Sequence, residues 1–239
     1  MFLTSRVPVG AEILEIGCGE GHLACELLRH GYRVTGLDSD PEVIARAQGR
    51  GVPAVIGSWP EFGGSVSFDA IAFTRSLHHI SPLRGAIVRA RELLKPRGSL
   101  LIEDFAFEEV DETTIDWFVR VLRTKQAIAL INLIAGQLVT ELLSSTDVMD
   151  VWQRNRGHDV HSITTMNEAI AEHFVPHEAW SVPYLYRYLI PVLAETSRAA
   201  SLVNEVFQQE ALLGQRGEVV LLGRRIVASP RPSEMHAVA

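Results

Sequence analysis

Several things are scarce in this chain of 239 residues, and each scarcity excludes a class of protein. Only two cysteines are present, Cys18 and Cys25, too few for the disulfide framework of a small secreted domain. Positive charge is short. Twenty-two Lys and Arg against 29 Asp and Glu leave a net charge of −7, a poor basis for general nucleic-acid binding, which needs clustered cations at phosphates. No apolar run reaches the ~20 residues of a membrane span. The best candidate, residues 127–139, contains Asn132 and Gln137 and is flanked by Lys125 and Glu141. The start of the chain lacks an apolar core behind basic residues, so no secretory signal is read and a soluble cytoplasmic protein is expected. No internal repeat is visible. What remains is a composition 47% hydrophobic and 21% charged, which excludes a disordered chain and supports a large core in one or two domains.

The first hundred residues alternate short apolar runs with helical patterns. Residues 11–17 read as a buried strand ending in glycine, and 22–30 as a helix closed by Gly31. Residues 33–37 form a second strand ending at Asp38. Asp40 then caps a helix that has Pro41 at its first position. Further strands are expected at 53–56, 68–73 and 99–102, with a helix from Ser81-Pro82 to about Leu94. This βαβα rhythm predicts an α/β, doubly wound, mostly parallel sheet. After Phe107 the pattern changes. Residues 111–144 read as a long helix, possible break at Gly136, apolar on more than one side, which must be buried by something. A strand within 178–188, a helix over 191–213 and a last strand over 217–227 follow.

The segment Glu15-Ile16-Gly17-Cys18-Gly19-Glu20-Gly21 carries the most chemistry. Its glycines permit a tight strand-to-helix turn and let the backbone approach a ligand closely. The spacing is G-x-G-x-G rather than the G-x-G-x-x-G of a dinucleotide site, which disfavours an NAD-dependent dehydrogenase. Asp38, about 20 residues on, sits where a carboxylate can accept hydrogen bonds from a ribose diol.

Together with VTGLDSDP (34–41), FDAIAFTRSLHHI (68–80) and LLKPRGSLLIED (93–104), the motif ILEIGCGEG (13–21) resembles the class I, Rossmann-like, S-adenosylmethionine (SAM)-dependent methyltransferases. The joint match covers about residues 11–105. The resemblance implies a seven-stranded sheet with its last strand antiparallel and a helical insert after strand five. The implied divisions are a SAM-binding core at 1–107, an insert at 108–178 for acceptor or dimer contact, a closing strand–helix–strand at 179–228, and a disordered tail at 229–239. It also implies that Glu15 helps hold the methionine ammonium through the turn. Gly17, Cys18, Gly19 and Gly21 would offer main chain to the cofactor, Asp38 would take the ribose hydroxyls, Ser39 would sit beside the adenine, and Thr74, Arg75 and Ser76 would face the methionine moiety. Family members often carry an Asp after the third strand; Ser58 stands here instead. Trp59 beside it is read either as an adenine-stacking wall or as core packing.

His78 and His79 follow the fourth strand, at the sheet edge where open α/β folds bind ligands, and either suits proton removal or acceptor contact. The alternative is a helix-entry histidine bonded to backbone. His158, Asp159 and His161 form H-D-x-H, read as substrate orientation, proton shuttling or a solvated loop, with no metal expected. Tyr184, Tyr186 and Tyr188 alternate as on one strand face. The reading is therefore a methyltransferase for a small, hydrophobic or aromatic acceptor, O-methylation favoured, with S-adenosylhomocysteine as the spent cofactor. The competing readings are a SAM-binding catalyst of cyclisation or rearrangement, and an interaction protein. Because only about ten residues precede the first strand, the insert or a partner subunit is expected to cover the cofactor. A homodimer is a separate expectation. No nucleic-acid or membrane partner is expected.

Overall fold

The computed structural model describes residues 2–64, 66–132, 136–155 and 160–232. Its sheet has seven strands in the order β3-β2-β1-β4-β5-β7-β6, mostly parallel, with the last strand antiparallel. These are β1 (Glu12–Ile16), β2 (Arg33–Asp38), β3 (Ala54–Ile56), β4 (Phe68–Thr74), β5 (Leu94–Phe105), β6 (Phe174–Val182) and β7 (Gly223–Pro230). β1 pairs in parallel with β2 on one side and β4 on the other, with Ile16 opposite both Leu37 and Phe73. Burial on both faces explains why β1 and β4 read as near-continuous apolar runs. The chain leaves β1 for β2 on one side and later reaches β4 on the other. The carboxyl ends of β1 and β4 therefore flank the switch point at which such sheets bind ligands.

Two helices follow the sequence closely. In α1 (His22–Arg29), Ala24 and Leu27 are buried, and Gly31 follows with φ +84°. In α2 (Pro41–Gly49), the Asp40 carboxylate accepts the Glu42 N–H at 2.7 Å, the expected cap before a proline. α3 (Leu83–Leu93) packs against α8 (Ile163–His173).

By contact, the chain divides into two compact units. The first comprises Met1–Asp104, His161–Trp180 and Arg224–Ala239; the second comprises Phe105–Val160 and Ser181–Gly223. Residues 161–180 thus group with the sheet rather than with 108–160, because α8 lies on α3. The second unit holds α4 (Glu112–Leu122), α5 (Lys125–Ile128), α6 (Gln137–Ser144), α7 (Val148–Asn155) and α9 (Ser197–Gln215). Its core gathers Ile115, Phe118, Leu142, Trp152, Leu185 and Leu189. The Trp152 indole donates to the Phe107 carbonyl at 3.0 Å, so its one polar group is satisfied in the core.

Three sequence expectations need correction here. The long helix read over 111–144, with a break near Gly136, is three helices among the described residues, and α6 does start after Gly136. The first stops at Leu122, and Thr124 restarts the chain by accepting the Ala127 N–H. The strand carrying alternating tyrosines is absent: β6 ends at Val182, and Leu185–Val192 is a 3₁₀ helix. The cause is Glu210, fully buried on α9, whose carboxylate accepts the N–H groups of Tyr184, Leu185 and Tyr186 at 2.6, 3.0 and 3.2 Å. Three converging N–H groups suit a turn and not a strand, where successive N–H groups point to opposite sides. The last strand begins at Gly223, not 217, and runs to Pro230, past the tail boundary read at 229. Residues 233–239 of that tail lie outside the described residues.

Candidate functional site

At the end of β1 the chain turns through Gly17, Gly19 and Gly21, at φ +70°, +53° and +75°. Their surroundings differ. A Cβ on Gly17 would stand 2.5 Å from the Ser76 Cβ, and one on Gly21 3.0 Å from Ala47 and Val52 side chains. A Cβ on Gly19 would meet nothing within 4 Å. Gly17 and Gly21 are therefore required by packing as well as by φ, whereas Gly19 leaves open space beside the backbone. The turn is tied to β2. The Gly17 and Cys18 N–H groups donate to the Leu37 carbonyl at 2.8 and 3.0 Å, and the Gly19 N–H donates to the Asp38 Oδ2 at 2.9 Å. The Asp38 Oδ1 accepts the Asp40 N–H at 3.1 Å. One acceptor position on each Asp38 oxygen is thus used, and a carboxylate has about four, so two remain for a diol.

Glu15 lies on β1, only 2% exposed. Its Oε1 accepts the Thr74 hydroxyl at 2.9 Å, while its Oε2 has no hydrogen-bond partner. Burial pushes its pKa up to about 7, against smaller opposing effects of the Thr74 bond, the Arg75 charge and the Ala24 backbone N–H. An orphaned buried carboxylate oxygen is costly unless a cation arrives. That fits an ammonium-bearing cofactor held at this turn. Cys18 is different: burial, with Glu15 and Asp38 nearby, pushes its thiol up to about 12, so it presents no reactive thiolate.

A cavity of about 860 Å³ opens beside the turn. Of the residues expected at the site, Gly17, Asp38, Ser39, Ser58, Trp59, Arg75, Ser76 and His79 line it. Glu15, Cys18, Gly19, Gly21, Thr74, His78 and His161 are not in its wall. Ser76 is fixed by donating to the Ile16 carbonyl at 2.6 Å. Arg75 adopts φ +63°, the one described non-glycine residue in the left-handed region. Trp59 both lines the cavity and is 7% exposed, with its indole donating to the Ala86 carbonyl at 3.1 Å. Trp59 is therefore packed in the core and also borders the cavity.

The two adjacent histidines have separate environments. His78 is buried; its Nδ1 is 2.6 Å from the Asp104 Oδ1, and its backbone N–H donates to the Asp104 Oδ2 at 3.2 Å. His79 faces the cavity, its ring centroid 4.0 Å from that of His78. Burial, and then the charge on His78, hold the His79 pKa below the ordinary value of 6.5, so its imidazole is neutral at pH 7. His161 lies behind the cavity rim: its Nε2 is 3.0 Å from the Ile80 carbonyl and 3.3 Å from the Ser81 Oγ, and its N–H donates to the His78 carbonyl at 2.8 Å. His158 and Asp159 lie outside the described residues.

Sequence reasoning missed Asp104 and Glu61. Asp104 closes the motif LLIED at the end of a central strand, a signal that an acid stands at the ligand edge; its partner, 26 residues earlier, was not legible. Glu61 lines the cavity but follows no recognisable pattern.

A family model described as Methyltransferase domain matches residues 2–146. An uncharacterized methyltransferase of Mycobacterium tuberculosis is 36% identical over 113 residues, covering 43% of this chain and 55% of the relative. A ubiquinone biosynthesis O-methyltransferase of Xylella fastidiosa is 31% identical over 115 residues, covering 42% and 45%. The chain spans about half the length of the curated relatives it matches. Among solved structures, an S-adenosylmethionine dependent methyltransferase from Mesorhizobium loti superposes with a TM-score of 0.59 at 15% identity, covering 96% of each chain, which is a likeness of fold.

Proposed function

Because the chain belongs to the methyltransferase-domain family, we propose that it transfers a methyl group from S-adenosylmethionine to a small molecule, with a hydroxyl oxygen as the favoured acceptor atom. The observation that carries the choice of atom is His79. Its imidazole lines the cavity and is held neutral at pH 7 by burial and by the neighbouring His78. A hydroxyl must lose its proton as it is alkylated, and a neutral imidazole in reach can take it. The name of the Xylella relative, an O-methyltransferase of ubiquinone biosynthesis, agrees with a hydroxyl on an aromatic ring.

When bound, the cofactor supplies a methyl group already activated on a sulfonium. The protein's own residues position and discharge. Asp38 would accept the ribose hydroxyls with its two remaining acceptor positions; Ser39 and Ser58 would flank the adenine, with Trp59 as wall. Glu15, Gly17, Cys18, Gly19, Thr74, Arg75 and Ser76 would hold the methionine end, the negative Glu15 answering its ammonium. The acceptor proton would pass to His79. These groups act mainly by holding two reactants in line.

The test is to incubate the protein with methyl-labelled SAM and a panel of phenols, carboxylic acids and aliphatic amines, and to follow S-adenosylhomocysteine. Label on a phenol, lost in His79→Gln, is the expected result. Cofactor binding with no transfer to any class would support the competing reading, a SAM-binding protein that does not transfer methyl groups. Homodimer formation is proposed separately from the exposed Ile128, Ile190 and Leu212; a monomer mass by light scattering at micromolar concentration would refute it.

A further inference from the structure

We propose that Asp104 and His78 form a positioning pair that fixes the turn carrying His79, so that the His79 imidazole is presented to the cavity. This deepens the reading above and rests on it for its chemistry. His79 belongs to the 3₁₀ turn Leu77–His79, which is too short to hold itself. Asp104 holds it from the neighbouring strand through two contacts to one residue. One oxygen meets the His78 ring at 2.6 Å, and the other accepts the His78 backbone N–H at 3.2 Å. Asp104 is fully buried, so the pair is shielded from water and salt. A third tie comes from the His161 N–H to the His78 carbonyl. With the His78 ring at ion-pair distance from Asp104 and its N–H and carbonyl hydrogen-bonded, the next residue has little freedom, and its ring lies against the His78 ring at 4.0 Å.

The pair also sets the charge His79 meets. The titratable groups around it among the described residues are His78 on its own turn, Asp104 on β5, His161 ahead of α8, and Asp38, Glu61 and Arg75 in the cavity wall. Of these, His78 lowers its proton affinity and Asp104 raises it, with burial acting in the direction of His78. The result is a base that is unprotonated at neutral pH and accepts a proton only as one is released. The balance is complete: the acceptor O–H bond breaks and its proton goes to the His79 ring nitrogen. The oxygen would bond the methyl carbon, and the electron pair of the broken carbon–sulfur bond would stay with sulfur as the neutral thioether of S-adenosylhomocysteine.

The experiment titrates the histidine side chains by NMR in the wild-type chain, in His78→Gln and in Asp104→Asn, with His79→Gln for assignment. S-adenosylhomocysteine binding is measured on each by calorimetry. In the wild type the His79 midpoint lies below 6.5 and a downfield imidazole N–H signal marks the His78–Asp104 contact. In His78→Gln the His79 midpoint rises toward 6.5, and in Asp104→Asn the downfield signal disappears, with S-adenosylhomocysteine affinity within about twofold in both. A His79 midpoint unmoved in His78→Gln, or a downfield signal surviving in Asp104→Asn, overturns the positioning pair while leaving the cofactor site standing. Absence of S-adenosylhomocysteine binding in the wild type overturns the function reading instead. Because the two variants alter different partners by near-isosteric changes, failure of one to fold leaves the other to decide.

Discussion

The two edges of the same sheet treat charge in opposite ways. At the amino edge, residues at the starts of four parallel strands, β1, β2, β4 and β5, close a network. Lys95 lies 2.9 Å from the Glu12 carboxylate and 3.0 Å from that of Asp69, Asp69 accepts the Glu12 N–H at 2.9 Å, and Arg33 meets Glu12 at 3.3 Å. There the Lys95 hydrogen bond holds Glu12, and the Glu12 N–H holds Asp69, below the usual carboxylate range. At the carboxyl edge, the Glu15 Oε2 is buried without a hydrogen-bond partner among the described residues, the His79 ring faces the cavity, and Asp38 keeps unused acceptor capacity. The strands are the same, so strand chemistry does not cause the difference. One edge is internally compensated; the other keeps polar groups that a bound ligand would compensate.

The comparison breaks most visibly at Asp38. Asp38→Ala removes the carboxylate that fixes the Gly19 N–H and would bind the ribose. SAM affinity should fall by at least about 1,000-fold, from two charge-assisted bonds of about 2 kcal/mol each. Calorimetry checks it.

Glu15→Gln sharpens the comparison through stability and binding in opposite directions. The folded pKa of Glu15 is about 7 against the ordinary 4.5, so the folded state holds a proton that the unfolded state releases between those values. The sign follows: the stabilising contribution is full below about 4.5 and is lost as pH rises through about 7. Glu15→Gln, neutral at all pH, should therefore raise apo stability at pH 8 by about 3 kcal/mol. In the same variant SAM affinity should fall about tenfold and lose the decline that the wild type shows as pH drops below 7. Urea melts at pH 5 and 8, paired with calorimetry, read both.

Within the turn, Gly17→Ala and Gly19→Ala separate packing from ligand approach. The first forces a Cβ to 2.5 Å from Ser76 and should lower stability by about 2 kcal/mol. The second has open space and should cost about 1 kcal/mol from its positive φ, with its main effect on SAM affinity. Smallest is Lys95→Met, whose network is largely solvated; SAM affinity should be unchanged, and the pH of half-unfolding in acid should move upward slightly.

Much of the first unit was legible because its signals are local. A strand of four buried residues ending in glycine, a carboxylate at the end of the next strand, and Asp-Pro at a helix start each declare themselves within a few positions. The second unit was less legible because its determinants are distant. The tyrosines alternate as a strand would, but Glu210, more than 20 residues downstream, gathers their N–H groups into a 3₁₀ helix. At the candidate site the same rule holds. The glycine turn and Asp38 could be read, whereas the difference between His78 and His79 depends on Asp104, brought alongside only by the pairing of β4 with β5. Two identical neighbours in sequence became a buried anchor and a cavity-facing base.

The central claim is that the carboxyl edge is completed by S-adenosylmethionine. The most direct measurement is calorimetric titration of SAM and S-adenosylhomocysteine into the wild-type chain and Asp38→Ala. Micromolar binding of both to the wild type and none to the variant is the predicted result; equal binding to the two proteins, or none to the wild type, would contradict it.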